Sequence, residues 1–291
     1  MTRPCAALLA FVFLLPLACS DDKSSSTNSV VTTDSTVVQT TPLRVVVLGD
    51  SIAIPQMGCG SCVGFDRQYA EYLGNATGRS VELSNRARAN AGIEDLQAVL
   101  DSDLAVQSDL ASADVVIVSI GYNSGPPFGA DEPCHAPEAV HDIDQLNAIL
   151  GFTPECVQAT LDIRRGQLDA VYARVEALAA GRAQLRVTFG VFNNIKGNPG
   201  GDGTFAHFAA DDMATVEAIL VSLTGEWNTM DCEVATAHEF ICADLYHAFN
   251  GPDGTESVAA FVSAADFVHP SVVGQAVMFE LLKRLPLDVL S

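Results

Sequence analysis

Positive charge is scarce in this 291-residue chain, where 15 lysines and arginines stand against 36 aspartates and glutamates. So acidic a surface repels phosphate backbones, and no lysine–arginine cluster offers a local exception, which argues against nucleic acid as a partner. A bilayer-spanning run is missing too: the apolar stretch at residues 6–17 is shorter than the roughly 20 residues a membrane helix needs. None of His135, His141, His207, His238 or His247 stands in a His-Glu-x-x-His or similar pattern, so no metal is expected, and each reads as a surface or satisfied core histidine. The Gly/Asn-rich loop at residues 193–204 lacks the Lys-Ser/Thr ending of a phosphate loop, which argues against nucleotide binding.

What the chain does have begins with a secretory pattern. Arg3 precedes the apolar run, and Pro16-Leu17-Ala18-Cys19 resembles a bacterial lipoprotein cleavage site, with Pro16 where that motif usually has an aliphatic residue. A signal peptide at 1–18, lipidation at Cys19, and a disordered Ser/Thr-rich tether at 19–42 are therefore expected, with one folded domain at 43–291. A lipid at Cys19 would be the sole membrane contact; the alternative is an ordinary signal peptide cut nearby. Six cysteines remain in the domain: Cys59, Cys62, Cys134, Cys156, Cys232 and Cys242. An even number in an exported protein suggests disulfides, and of the fifteen connectivities local pairing (59–62, 134–156, 232–242) is preferred. The Cys-x-x-Cys at 59–62 could also be a redox or metal motif, but it has no second pair to complete a zinc ribbon, and a structural staple suits the compartment better.

Along the domain, apolar runs alternate with helical spacing. Val45-Val46-Val47-Leu48 reads as a strand buried on both faces, 80–84 as a shorter alternating strand, and 115–120, 185–192 and 241–245 as further strands. Between them lie helices expected at 65–73, 93–100, 157–180, 213–229 (capped by Asp211 and Asp212) and 271–284, with Trp227 reading as core. Residues 125–153 are Pro-rich and acidic and look like a lid-like insertion. Strands alternating with helices predict an α/β fold with a parallel sheet covered on both faces.

The first strand ends in Gly49-Asp50-Ser51, at the edge where open α/β sheets carry reactive groups. A serine hydroxyl needs a base, and the base an orienting acid. Asp266 and His269, three residues apart, supply such a pair, with Pro270 expected at the first position of the last helix. Attack on an ester also needs oxyanion donors, and Gly92 and Asn123 each follow a predicted strand. The elbow Gly-x-Ser-x-Gly of α/β-hydrolases is absent, since Ala53 takes its last place.

Gly49-Asp50-Ser51-Ile52, Gly92, Gly121-Tyr122-Asn123 and Asp266-Phe267-Val268-His269 resemble, in order, the four blocks of the SGNH (GDSL) hydrolases. The resemblance covers residues 44–285. It departs at Ser124, where the family often has Asp, and in two extra residues between Asn85 and Gly92. It implies a flavodoxin-like three-layer α/β/α sandwich, with Ser51 as nucleophile, His269 as base and Asp266 as its orienter. The Ser51 N–H, Gly92 and Asn123 would form the oxyanion hole. The function it implies is an exported esterase, monomeric and without a cofactor, acting on small esters or acetylated carbohydrate, with short acyl groups favoured. The alternative is a catalytically silent surface lipoprotein of the same fold that binds carbohydrate or a partner.

Overall fold

In the computed structural model, residues 41–125, 133–134, 148–197 and 210–290 are described. The expected signal peptide, Cys19 and the tether as far as residue 40 lie outside them, as do most of the 125–153 segment, His135, His141 and His207.

Five strands form where the β-branched runs predict them: Leu43–Gly49 (β1), Val81–Asn85 (β2), Val115–Ser119 (β3), Leu185–Phe189 (β4) and Ile241–Ala243 (β5). All four pairings are parallel, and the order is β2-β1-β3-β4-β5. That is the flavodoxin-like winding, whose direction reverses between β1 and β3. Eight α-helices are described: Pro55–Cys59 (α1), Phe65–Thr77 (α2), Ile93–Ser102 (α3), Leu104–Ser112 (α4), Pro154–Leu178 (α5), Ala210–Ala237 (α6), Leu245–Asn250 (α7) and Val272–Lys283 (α8). None is long and apolar enough to cross a membrane among the described residues.

Alternation along the strands makes the three layers. Val46 and Leu48 of β1 and Val116 and Val118 of β3 pack in one cluster with Leu96, Leu100, Leu168, Tyr172 and Met230, the side of α3 to α6. Their neighbours Val45, Val47, Val115 and Ile117 pack on the other side with Phe65, Tyr69, Leu73, Met278 and Leu282 of α2 and α8. Burying each such side chain contributes about 1.5–3 kcal/mol, so a one-residue register slip would exchange both layers at once.

Several boundaries differ from the sequence expectation. β4 stops at Phe189 because a Cβ on Gly190 would lie 1.9 Å from Asn228 Oδ1: here the chain runs directly beneath α6. β5 ends at Ala243 because Asp244 caps α7, accepting from the His247 N–H at 3.1 Å. Helix α6 continues to Ala237, since Met230, Val234 and Ala235 keep its apolar face buried, and Asp211 and Asp212 lie within its first turn. Helix α4, capped by Asp103, is an element the spacing did not indicate. Pro270 is not in α8 but precedes its N-cap, Ser271, and bridges Val262. The three local disulfides, Cys59–Cys62, Cys134–Cys156 and Cys232–Cys242, are all formed. Both ends of the described fold meet one side chain: Arg79 donates from Nε to Thr41 O at 2.9 Å and from Nη1 to Leu290 O at 3.4 Å.

Candidate active site

Ser51 opens a 3-10 turn, Ser51–Ala53, directly beyond β1 and is 5% exposed. Its N–H stands at the first position of that turn, where backbone donors have no partner within the turn. Gly49 lets β1 reach this point: it pairs with Ser119 of β3 at a φ of +142°, and a Cβ there would sit 1.8 Å from Ser119 O. Asp50 caps the turn. One carboxyl oxygen accepts from Ile52 N–H at 2.9 Å and the other from Tyr122 N–H at 3.1 Å, tying the turn beyond β1 to the turn beyond β3. Burial pushes the Asp50 carboxyl up to about 7, against the lowering effect of the backbone donors Ile52, Tyr122 and Gly121.

Asn123 lies in the second turn, Tyr122–Ser124. Its Nδ2 donates to Ala91 O at 3.1 Å, which orients the amide and leaves a second N–H on the same nitrogen. Ser124, in the same turn, accepts at its Oγ from Ile93 N–H at 2.8 Å. Gly92 is adjacent, since a Cβ on it would lie 3.1 Å from Ser124 Oγ. The Gly92 N–H, however, donates to Asp95 Oδ2 at 2.9 Å as part of the cap of α3. To serve an oxyanion it must release that bond.

Asp266 and His269 meet as their spacing predicts, His269 Nδ1 lying 2.9 Å from Asp266 Oδ2. The turn is not helical. Asp266 Oδ1 accepts from the N–H groups of Val268 and His269, and Phe267 takes a φ of +58° to close it. Burial would raise Asp266, but those two N–H groups and the imidazole outweigh it and hold the carboxyl below its usual range. The imidazole is mostly covered, with 13% of the side chain exposed.

One close contact brings this pair to the serine's edge of the sheet. Gly58, in the helix that follows Ser51, packs so closely that a Cβ would lie 2.8 Å from His269 Cβ and 2.4 Å from Pro270 O. Burial first, and then the charges of Asp50 and Asp266, raise the Tyr122 hydroxyl well above its usual range. No hydrogen bond joins Ser51 Oγ to His269 among the described residues.

A second Asp-x-x-His pair makes an instructive contrast. His247 Nδ1 lies 2.5 Å from Asp244 Oδ2, on a cleft of about 510 Å³ between α5 and α6. The serine in that cleft, Ser222, gives its hydroxyl to Glu226 at 2.8 Å, and none of Ser51, Asn123, Asp266 or His269 lines it. His238 is likewise engaged, between Glu176 and Asp169 at 3.1 and 3.0 Å. Trp227 is buried, as expected, and backs Gly121. No group of three or more His, Cys, Asp or Glu suited to a metal occurs among the described residues.

No protein-family model and no curated protein matches the sequence. Solved structures do match. A lipase from a goat rumen metagenome superposes with a TM-score of 0.59 at 16% identity, over 83% of this chain and 96% of that one. An extracellular lipase from Streptomyces rimosus gives 0.55 at 19% identity, over 83% and 98%. A variant of an acetyl-xylooligosaccharide esterase from Geobacillus gives 0.51 at 19%, over 83% and 93%. The chain shares their fold. Within that fold, two contacts are invisible to motif reading. Asp50 is the buried acceptor that joins two turns, and Arg164 of α5 donates from Nε to Ser124 O at 2.7 Å. The only sequence signal for Arg164 is an arginine at a position where the helical spacing of α5 faces inward.

Proposed function

We propose that the protein is an exported carboxylic-ester hydrolase of the SGNH type, working through an acyl-serine intermediate in a domain spanning residues 43–291. The observation that carries this reading is the Asp266–His269 pair, packed through Gly58 against the helix that begins just after Ser51. In this reading Ser51 Oγ attacks the ester carbonyl carbon while His269 Nε2 takes its proton, with Asp266 holding Nδ1–H. The oxyanion receives the Ser51 N–H and the second Nδ2–H of Asn123. His269 returns the proton to the departing alkoxide, and the alcohol leaves. Water, deprotonated by the same imidazole, then releases the acid and restores the serine.

The neighbours in fold are named as lipases and an acetyl-xylooligosaccharide esterase, and short acyl groups, including acetyl on carbohydrate, are the substrates proposed here. Three disulfides support export, since such bonds persist in oxidising compartments. The proposed route is a signal peptide with a lipid anchor at Cys19. The test is hydrolysis of nitrophenyl acetate, butyrate and octanoate, with acetylated xylan alongside. Ser51→Ala should lower turnover by about 10⁴-fold or more with an unchanged melting temperature. A serine-directed phosphonate should add its mass at Ser51 in the wild type. An unlabelled Ser51, or full turnover in the alanine variant, would leave the non-enzymatic surface protein as the better reading.

A further inference from the structure

The turns beyond β2 and β3 are held from outside the sheet by one helix. Arg164 of α5 is 5% exposed, and besides its bond to Ser124 O it donates from Nη1 to Gln167 Oε1 at 2.7 Å. Gln167, one helical turn further on, donates from Nε2 to Glu94 Oε1 at 2.5 Å. Ser124 closes the turn that bears Asn123, and Glu94 stands in the first turn of α3, directly after Gly92 and Ile93. One side chain of α5 thus grips each of the two turns, and a third bond locks the two side chains to each other. The turns are also joined directly, by Ser124 Oγ to Ile93 N–H and by Asn123 Nδ2 to Ala91 O. Asn123 therefore sits at the centre of a small frame whose outer side is made by Arg164 and Gln167.

We infer that Arg164 and Gln167 are positioning residues for the oxyanion hole: through Ser124 and Glu94 they fix where the Asn123 amide points. This rests on the hydrolase reading above. Neither residue touches the reacting atoms. The chemistry of the pair fits the task. A planar guanidinium offers donors in fixed directions, so one side chain can hold a carbonyl and an amide oxygen at a set angle, which a flexible ammonium does not do. Buried, the guanidinium is also costly to rearrange, so the frame has one arrangement rather than several. An amide displaced by a fraction of an ångström donates poorly to the tetrahedral oxyanion while still accommodating the ground-state ester, so the loss falls on the chemical step.

The test uses the full chain and nitrophenyl acetate. Gln167→Met keeps the length of the side chain, removes both bonds and lies at a half-buried position, so it should fold. Arg164→Lys keeps the charge and removes the fork. Each should lower kcat by about 10- to 100-fold with KM within about twofold. Affinity for a boronate that mimics the tetrahedral intermediate should fall in parallel with kcat/KM, with the melting temperature of Gln167→Met near that of the wild type. In an Asn123→Ala background Gln167→Met should have little further effect, because its route to the reaction has been removed. Wild-type kcat in Gln167→Met overturns the inference, as does the same fold-loss with and without Asn123. If the wild type itself turns over no ester and Ser51 takes no phosphonate, the hydrolase reading fails and the positioning role falls with it. Turnover that depends on Ser51 but ignores Gln167 refutes the positioning role alone.

Discussion

At the scale of single residues, Asp50 has the most demanding place. Its two oxygens serve different turns, Ile52 N–H on one side and Tyr122 N–H on the other. Asp50→Asn keeps the shape but sets an amide N–H against one of those donors. We expect a loss of about 1–3 kcal/mol in urea denaturation, the cost of one unmet buried donor, together with a fall in kcat. The difference between Asp50 and Ser51 also shows what a sequence can tell. The place of Ser51 beyond β1 and the contact of Asp266 with His269 are legible because each stands in a short motif whose spacing fixes local geometry. Asp50 is visible as part of its motif, but its bond to a residue 72 positions away depends on β1 pairing with β3. Arg164 has only its inward place on α5 as a signal and Gln167 has none, since their partners Ser124 and Glu94 come from other elements. The block around Gly92 shows in the sequence, whereas the bond of its N–H to Asp95 belongs to the cap of α3.

At the scale of elements, the strands were the most readable because runs of valine and isoleucine buried on both faces leave little choice of conformation. Helix ends were less so, because α6 runs on past Thr229 for reasons of packing and β4 stops early under Asn228. The contact between α5 and α6 also has a pH dependence of definite sign. Asp231 of α6 accepts from Tyr172 of α5 at 2.5 Å, and burial pushes its carboxyl up to about 7. His238, just beyond α6, is lowered by burial but raised more by Asp169 and Glu176 of α5, and ends above its ordinary value. A raised group contributes stability that is complete below its unfolded pKa and is lost as pH rises through the folded one. For Asp231 the window runs from about 4 to about 7, and for His238 it begins near 6.5 and extends upward. Both losses have the same sign, so α5 should hold α6 less firmly in mild alkali than in mild acid. Hydrogen exchange in these helices, corrected for intrinsic rate, should therefore accelerate from pH 5.5 to pH 8.5. Asp231→Asn and His238→Gln should each flatten that slope, and an unchanged slope in both would refute the assignment.

At the scale of the whole molecule, the three disulfides close loops with sequence separations of 3, 10 and 22. Loop-entropy arithmetic gives roughly 1.6, 2.7 and 3.4 kcal/mol for these lengths. Paired Cys→Ala variants should therefore lose stability in the order 134–156, then 232–242, then 59–62, as read from denaturation midpoints. The 59–62 pair should nonetheless cost the most activity, because it follows Gly58, whose backbone lies against His269. A different consequence follows from Arg79, whose guanidinium holds Thr41 O and Leu290 O together. The beginning and end of the fold are thus one side chain apart. Order of synthesis is then separable from architecture: residues 41–290 could be closed into a ring by a few glycines, or joined there and reopened at a surface loop. The four turns around Ser51 would still converge, since nothing in their bonding refers to where the polypeptide starts.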